Sequence, residues 1–229
     1  MNLALTDKSL KQFHYSPIFT GAASGSIRLN DQLRTYYYYV PDSASKETSL
    51  PFLLALHGAG RTGLSMIDTW RKIADKYGFV IVAPNGINKN WSIKNSDLQL
   101  FKKVVVDVEL KSERSHSHIY VFGHSNGAAK AIWEGANNQA YFDRVAVHGG
   151  TLPKKVGSGV KNKPTSMKVG LFIGDSDHIF SIDSARQTSR WLTSIGVQSD
   201  IYILENHTHW YYQDANRINS SIWAYLTRQ

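Results

Sequence analysis

A chain of 229 residues, 42% apolar and 19% charged, carries enough apolar material for a sizeable core, which excludes an intrinsically disordered polymer. It has no cysteine, so disulfides, thiolate zinc sites and cysteine nucleophiles are excluded together. The balance of 26 basic against 18 acidic residues, a net charge of +8, suits an acidic polymer or an anionic surface; no nucleic-acid-binding motif accompanies it, so nucleic acid is not an expected partner.

Met1 to Leu10 lacks the basic start and long apolar core of a signal peptide. No apolar stretch approaches the ~18 residues of a membrane span. Residues 1–24 are expected to form an extended or poorly ordered N-terminal segment. Ser26 to Asn30 and Thr35 to Val40, parted by Asp31-Gln32, predict an antiparallel hairpin, the second strand favoured by its Thr-Tyr-Tyr-Tyr-Tyr-Val composition. Apolar strand-like runs then recur at Phe52–Leu56, Phe79–Ala83, Ile119–Phe122, Val145–Val147, Val169–Ile173 and Ile201–Leu204. Helical spacing falls between most of them, at Ile67 to Tyr77, Leu98 to Leu110, Ala128 to Ala136, Ser184 to Ile195, and after the last at Asn216 to Leu226. Strand and helix in alternation predict an α/β fold, a mostly parallel sheet covered by helices on both faces. No linker divides the chain, so residues 1–229 are expected to be one domain. Gly149 to Thr165, rich in glycine, lysine and proline, reads as a loop.

The sharpest local signal is Gly123-His124-Ser125-Asn126-Gly127, a G-x-S-x-G directly after one strand-like run and directly before a helical segment. A serine in that context sits on a strained turn above the strand ends, near a helix N-terminus that stabilises negative charge. A serine hydroxyl needs a base within hydrogen-bond reach, and in hydrolases of this strand–turn–helix type an acid and then a histidine follow the serine along the chain. Of nine histidines, His178, His207 and His209 follow the last strands in that order, with Asn206-His207-Thr208-His209-Trp210 just after the final one. Gly174-Asp175-Ser176-Asp177-His178, after the preceding strand, offers two aspartates as the acid. His57-Gly58-Ala59-Gly60 follows the strand ending at Leu56, and the amide of Ala59 or Gly60 with that of Asn126 would receive the oxyanion.

Other motifs read as structural. His116-Ser117-His118 and His207-Thr208-His209 lack matching carboxylates, and no P-loop or dinucleotide fingerprint occurs, so neither a metal nor a cofactor is expected. His124 and His148 read as satisfied structural histidines. Trp70, Trp191 and Trp223 fall in helical segments and read as core; Trp91, Trp133 and Trp210 are candidates for substrate stacking.

At these residues the sequence resembles the esterase family that includes polyhydroxybutyrate depolymerases, feruloyl esterases and acetyl xylan esterases. The resemblance runs from about Arg34 to the C-terminus through Leu56-His57-Gly58-Ala59-Gly60, Ala83-Pro84-Asn85-Gly86, Asn90-Trp91, Asp97 to Phe101, the Ser125 pentapeptide and the tail from Trp210 to Trp223. It implies an α/β-hydrolase fold. It maps the acid of a Gly-x-x-Asp turn onto Asp177, and the histidine before an aromatic residue onto His209. Only about twenty residues separate Val147 from the next strand, too few for a helical cap, so a minimal form with an open site is expected. Lys154, Lys155, Lys161, Lys163 and Lys168 occupy that insertion point and are placed to attract an anionic substrate such as an acidic polysaccharide. The expected activity is cofactor-free cleavage of small-molecule or polymer esters. A peptidase or amidase using the same triad, and a non-catalytic binding protein of the same fold, are the alternatives.

Overall fold

The computed structural model describes residues 15–44, 48–93, 95–153 and 166–228. Eight strands form one sheet: β1 (Ala23–Leu29), β2 (Gln32–Tyr39), β3 (Ser49–Leu56), β4 (Val80–Pro84), β5 (Ser115–His124), β6 (Arg144–His148), β7 (Lys168–Gly174) and β8 (Gln198–Leu204), in the order β1-β2-β4-β3-β5-β6-β7-β8. β2 is antiparallel to both its neighbours, and every pairing from β4 to β8 is parallel. Among the described residues five α-helices accompany it: α1 (Gly63–Tyr77), α2 (Leu98–Ser112), α3 (Asn126–Asn137), α4 (Ile182–Ser194) and α5 (Ala215–Leu226). Each lies where helical spacing predicts one, with most starts earlier by one to four residues and the end of α4 one residue short of the expected Ile195.

The hairpin turn differs by one residue from the expected Asp31-Gln32. Asn30 and Asp31 turn the chain with φ of 47° and 61°, because those side chains tolerate the left-handed backbone that a tight hairpin requires and glutamine does not. β1 accordingly begins at Ala23, inside the segment expected to precede the fold.

The two faces of the sheet explain why the inner strands read as unbroken apolar runs. Phe52, Leu54 and Leu56 of β3 face one buried cluster, completed by Leu100 and Phe101 of α2, Ala131 and Ile132 of α3, and Leu192 of α4. Leu53 and Ala55 face the other, completed by Met66 and Trp70 of α1 and Ile222 and Trp223 of α5. A strand buried on both sides cannot alternate apolar with polar. Among the described residues no helix stands between β6 and β7. Lys154, Lys155, Lys161 and Lys163 lie outside the described residues, and Lys168 opens β7.

One buried polar cluster ties the sheet to the segment before α2. Lys130 of α3 has a fully buried side chain and lies 2.9 Å from both Asp97 Oδ2 and Glu134 Oε1, while also donating to the Ser92 and Asn95 carbonyls at 2.9 and 2.5 Å. Arg34 of β2 reaches Asp97 Oδ1 at 3.3 Å. Removing one member of a buried pair strands its partners without compensation. Lys130→Met should therefore lose roughly 3–5 kcal/mol in guanidinium unfolding; a loss below about 1 kcal/mol would show that the cluster is solvated rather than buried.

Candidate active site

β5 ends at His124 and α3 begins at Asn126, leaving Ser125 alone in the turn with φ 54° and ψ −116°. A non-glycine residue there is strained, and the surrounding backbone holds it: the Ser125 amide donates to the His148 carbonyl at 3.0 Å, and the Ala128 amide donates to the Ser125 carbonyl at 3.0 Å. The flanking glycines are required by close approach. A Cβ on Gly123 would collide with the Gly127 carbonyl, and one on Gly127 with the Leu56 carbonyl at the end of β3.

Three side chains from three strand ends meet at this turn. Ser125 Oγ is 3.0 Å from His209 Nε2, and His209 Nδ1 is 3.0 Å from Asp177 Oδ2. The other Asp177 oxygen accepts the Ile179 and Phe180 amides at 2.8 and 2.9 Å. Burial pushes the Asp177 carboxyl up, but the bonds from His209 and those two amides outweigh it and hold the group below the usual carboxylate range. An ionised Asp177 only accepts, so His209 carries its proton on Nδ1 and turns an unprotonated Nε2 to the serine hydroxyl. Asp175 points elsewhere: its Oδ2 accepts the Asn206 amide at 3.1 Å. His178 is not among the partners of Ser125.

His57 anchors the turn beside the serine. Its Nδ1 donates to the Gly58 carbonyl at 2.8 Å and its Nε2 accepts the Gly86 amide at 3.0 Å, while burial lowers its pKa to about 4. An ideal Cβ on Gly58 would lie 3.5 Å from the Ser125 Cβ, so this turn runs directly against Ser125. The Gly60 amide is committed to the Lys89 carbonyl at 2.9 Å and the Arg61 amide to the Gly58 carbonyl at 3.1 Å. The amides of Ala59 and Asn126 remain as candidate oxyanion donors, the latter because the first amides of a helix have no partner within it. The Asn126 side chain locks this end of α3 to the preceding loop, accepting from the Trp91 amide at 2.6 Å and donating to its carbonyl at 3.1 Å.

The three candidate stacking tryptophans separate. Trp91 is buried, and its indole N–H donates to the His57 carbonyl at 3.0 Å, so it supports the site from below. Trp133 packs half-buried against the core. Trp210, next to His209, is half-buried against Tyr212 at 5.3 Å between ring centroids.

Several neighbours of the site carry no sequence motif. Phe180 covers His209 at 5.7 Å, and Gly149, with φ 53°, leaves room for the His209–Asp177 pair, since an ideal Cβ there would lie 3.0 Å from Nδ1. Below them runs a line of buried imidazoles. His124 Nδ1 meets His148 Nδ1 at 3.1 Å, His148 Nε2 meets His207 Nε2 at 3.0 Å, and His207 Nδ1 stands 3.3 Å from the half-exposed Asp214. Each neutral ring has one donor and one acceptor and the carboxylate only accepts, so the donors run from His124 to His148 to His207 to Asp214. His124 and His148 are the structural histidines expected from their surroundings. Their adjacency was detectable, because they end neighbouring strands in direct register. His124 in turn lies against His209, with ring centroids 5.2 Å apart.

No protein-family model matches the chain, and no curated protein matches it in sequence. Solved structures share its architecture. An S-formylglutathione hydrolase from Agrobacterium tumefaciens superposes with a TM-score of 0.70 at 15% identity, covering 90% of this chain and 94% of that one. A ferulic acid esterase gives 0.69 at 16% identity over 90% of this chain and 97% of that one. A thermostable esterase gives 0.67 at 15% identity over 89% of this chain, which spans 62% of that protein's length. At such identities the likeness is one of fold, and the fold is that of the α/β hydrolases.

Proposed function

We propose that the chain is a serine hydrolase that cleaves carboxylic esters through an acyl-enzyme. We assign it to the polyhydroxybutyrate depolymerase, feruloyl esterase and acetyl xylan esterase group, with aryl or polymer-linked esters as substrates. The observation that carries this reading is the unbroken hydrogen-bonded line Ser125–His209–Asp177 at a strained strand–helix turn. Ser125 Oγ attacks the ester carbonyl while His209 Nε2 takes its proton, and Asp177 stabilises the imidazolium that forms. The amides of Ala59 and Asn126 would receive the oxyanion. Collapse expels the alcohol, protonated by His209. Water, deprotonated by the same nitrogen, then attacks the acyl-enzyme and frees the serine. Similarity in fold to proteins named as esterases, one of them a ferulic acid esterase, supports the choice of ester and of an aryl acid.

A fluorophosphonate probe should add one phosphonyl group, located on Ser125 by peptide mass spectrometry. 4-Nitrophenyl acetate should show a burst of about one nitrophenol per chain as the acyl-enzyme accumulates. An unlabelled protein that turns over neither acetate nor butyrate esters would overturn the reading.

A further inference from the structure

Arg61 follows the turn that abuts the nucleophile, one tight turn beyond Gly58, and is half-buried. Its guanidinium carbon lies 5.5, 5.7 and 5.1 Å from the ring centroids of Tyr15, Trp210 and Tyr212, and Nη1 donates to the Tyr15 carbonyl at 2.6 Å. These rings border the catalytic histidine: Trp210 follows it in the chain, and Tyr212 packs edge-on against His124 at 5.6 Å. The charge reaches the site, because Arg61 is among the groups that disfavour protonation of His124, after burial and the His209 charge. The N-terminus of α1, two residues on, adds its positive dipole end.

Among the described residues no carboxylate lies within ion-pair distance of Arg61. Asp68, the acid that does reach this cluster, is occupied by the Tyr15 hydroxyl at 2.5 Å and the Phe19 amide at 3.1 Å. Aromatic faces hold a guanidinium in place without satisfying its in-plane donors; the Nη1 bond to Tyr15 and a contact with the Tyr212 hydroxyl still leave N–H groups of the five for a planar anion.

We infer that Arg61 is the subsite for a carboxylate carried by the substrate, so that the preferred esters are anionic ones with a carboxylate a few bonds from the scissile carbonyl. The inference rests on the esterase reading for its reaction and on Arg61 for its specificity. Mono-4-nitrophenyl adipate and 4-nitrophenyl hexanoate share a six-carbon acyl chain and differ in the terminal carboxylate. The wild type should favour the adipate in kcat/KM. Arg61→Gln should reduce the adipate-to-hexanoate ratio by about 10–100-fold, mainly through KM, and Arg61→Lys should recover part of it. Added salt should shrink the preference. Equal losses on both esters, or a wild type that favours hexanoate, would overturn the subsite.

A binding measurement separates the two readings. The Ser125→Ala protein, titrated by tryptophan fluorescence, should bind monomethyl adipate at least about 10-fold more tightly than methyl hexanoate, and adding Arg61→Gln should remove the difference. Equal affinities would overturn the subsite even in an active esterase. Anion-selective binding by a wild type that hydrolyses no ester would uphold the subsite and overturn the esterase reading alone.

Discussion

Replacing Ser125 by alanine is expected to lower kcat for 4-nitrophenyl esters by about a millionfold while moving KM little, and His209→Ala should fall to nearly the same floor. The double variant should fall no further, because in the proposed mechanism nucleophile and base act as one unit in a single step. Asp177→Asn has its own signature. Asp177 Oδ1 already accepts two backbone amides, so the asparagine oxygen stays there and its NH2 group faces His209 Nδ1. The imidazole must then accept at Nδ1 and carry its proton on Nε2, which cannot take a proton from Ser125. The cost should be about 10⁴-fold in kcat with the fold intact. Steady-state kinetics with circular dichroism on all four variants would check the set. Wild-type turnover by Ser125→Ala would remove the serine from the chemistry altogether.

How much of this site could be read from residues alone depended on whether the signal was local. Ser125 was legible because strand, turn and helix are contiguous in sequence and the two glycines are forced by contacts within that turn and with the adjacent strand end. The inner strands were legible because burial on both faces removes their polar positions. Residue type could not choose between Asp175 and Asp177, since both follow β7. The choice is made by the turn after Gly174, which ties Asp175 to the Asn206 amide and brings Asp177 under the imidazole. His207 and His209 divide in the same way: one turns into the core toward His148, the other toward Ser125.

The remaining features are non-local, and sequence patterns carry no information about them. The Gly60 amide is removed from the oxyanion candidates by a carbonyl nearly thirty residues away, in a loop where Asn88 and Lys89 take φ of 49° and 59°. Arg61 acquires its setting from rings at residues 15, 210 and 212, brought together only by the packing of the first described segment and the stretch before α5. The buried imidazole line draws on β5, β6, the loop after β8 and the start of α5. Only the strand-end pair His124 and His148 left a trace that topology could convert into a contact.

That line of imidazoles, together with the buried His57, makes the fold itself sensitive to acid. Burial, then the neighbouring His209 charge, lowers the His124 pKa to about 3, and burial lowers that of His57 to about 4. His148 is lowered well below the usual histidine range by burial and its imidazole neighbours, and His207 is lowered by burial against the opposing pull of Asp214. All four rings are therefore neutral when folded, whereas in the unfolded chain they bind protons near pH 6.5. The unfolded state gains protons first as pH falls, so their full contribution holds above about pH 6.5 and is lost toward about pH 4 for His57 and about pH 3 for His124. Well below pH 6.5 each group contributes a loss approaching about 1.4 kcal/mol per pH unit, so from pH 7.5 to 5 these two alone remove about 4 kcal/mol, and His148 and His207 add losses of the same sign. Domains of this kind have about 5–15 kcal/mol in total. Asp107, Asp175 and Asp177, held below the usual carboxylate value of 3.8, lose their contributions only below about pH 4, which leaves the interval from 7.5 to 5 to the histidines. Guanidinium unfolding should therefore show stability falling by at least about 4 kcal/mol across that interval, with unfolding at pH 5 taking up at least about two and toward four protons from a weak buffer. A flat stability profile with no proton uptake would mean that these rings are solvated in the native state, and the buried line beneath His209 would not exist in solution.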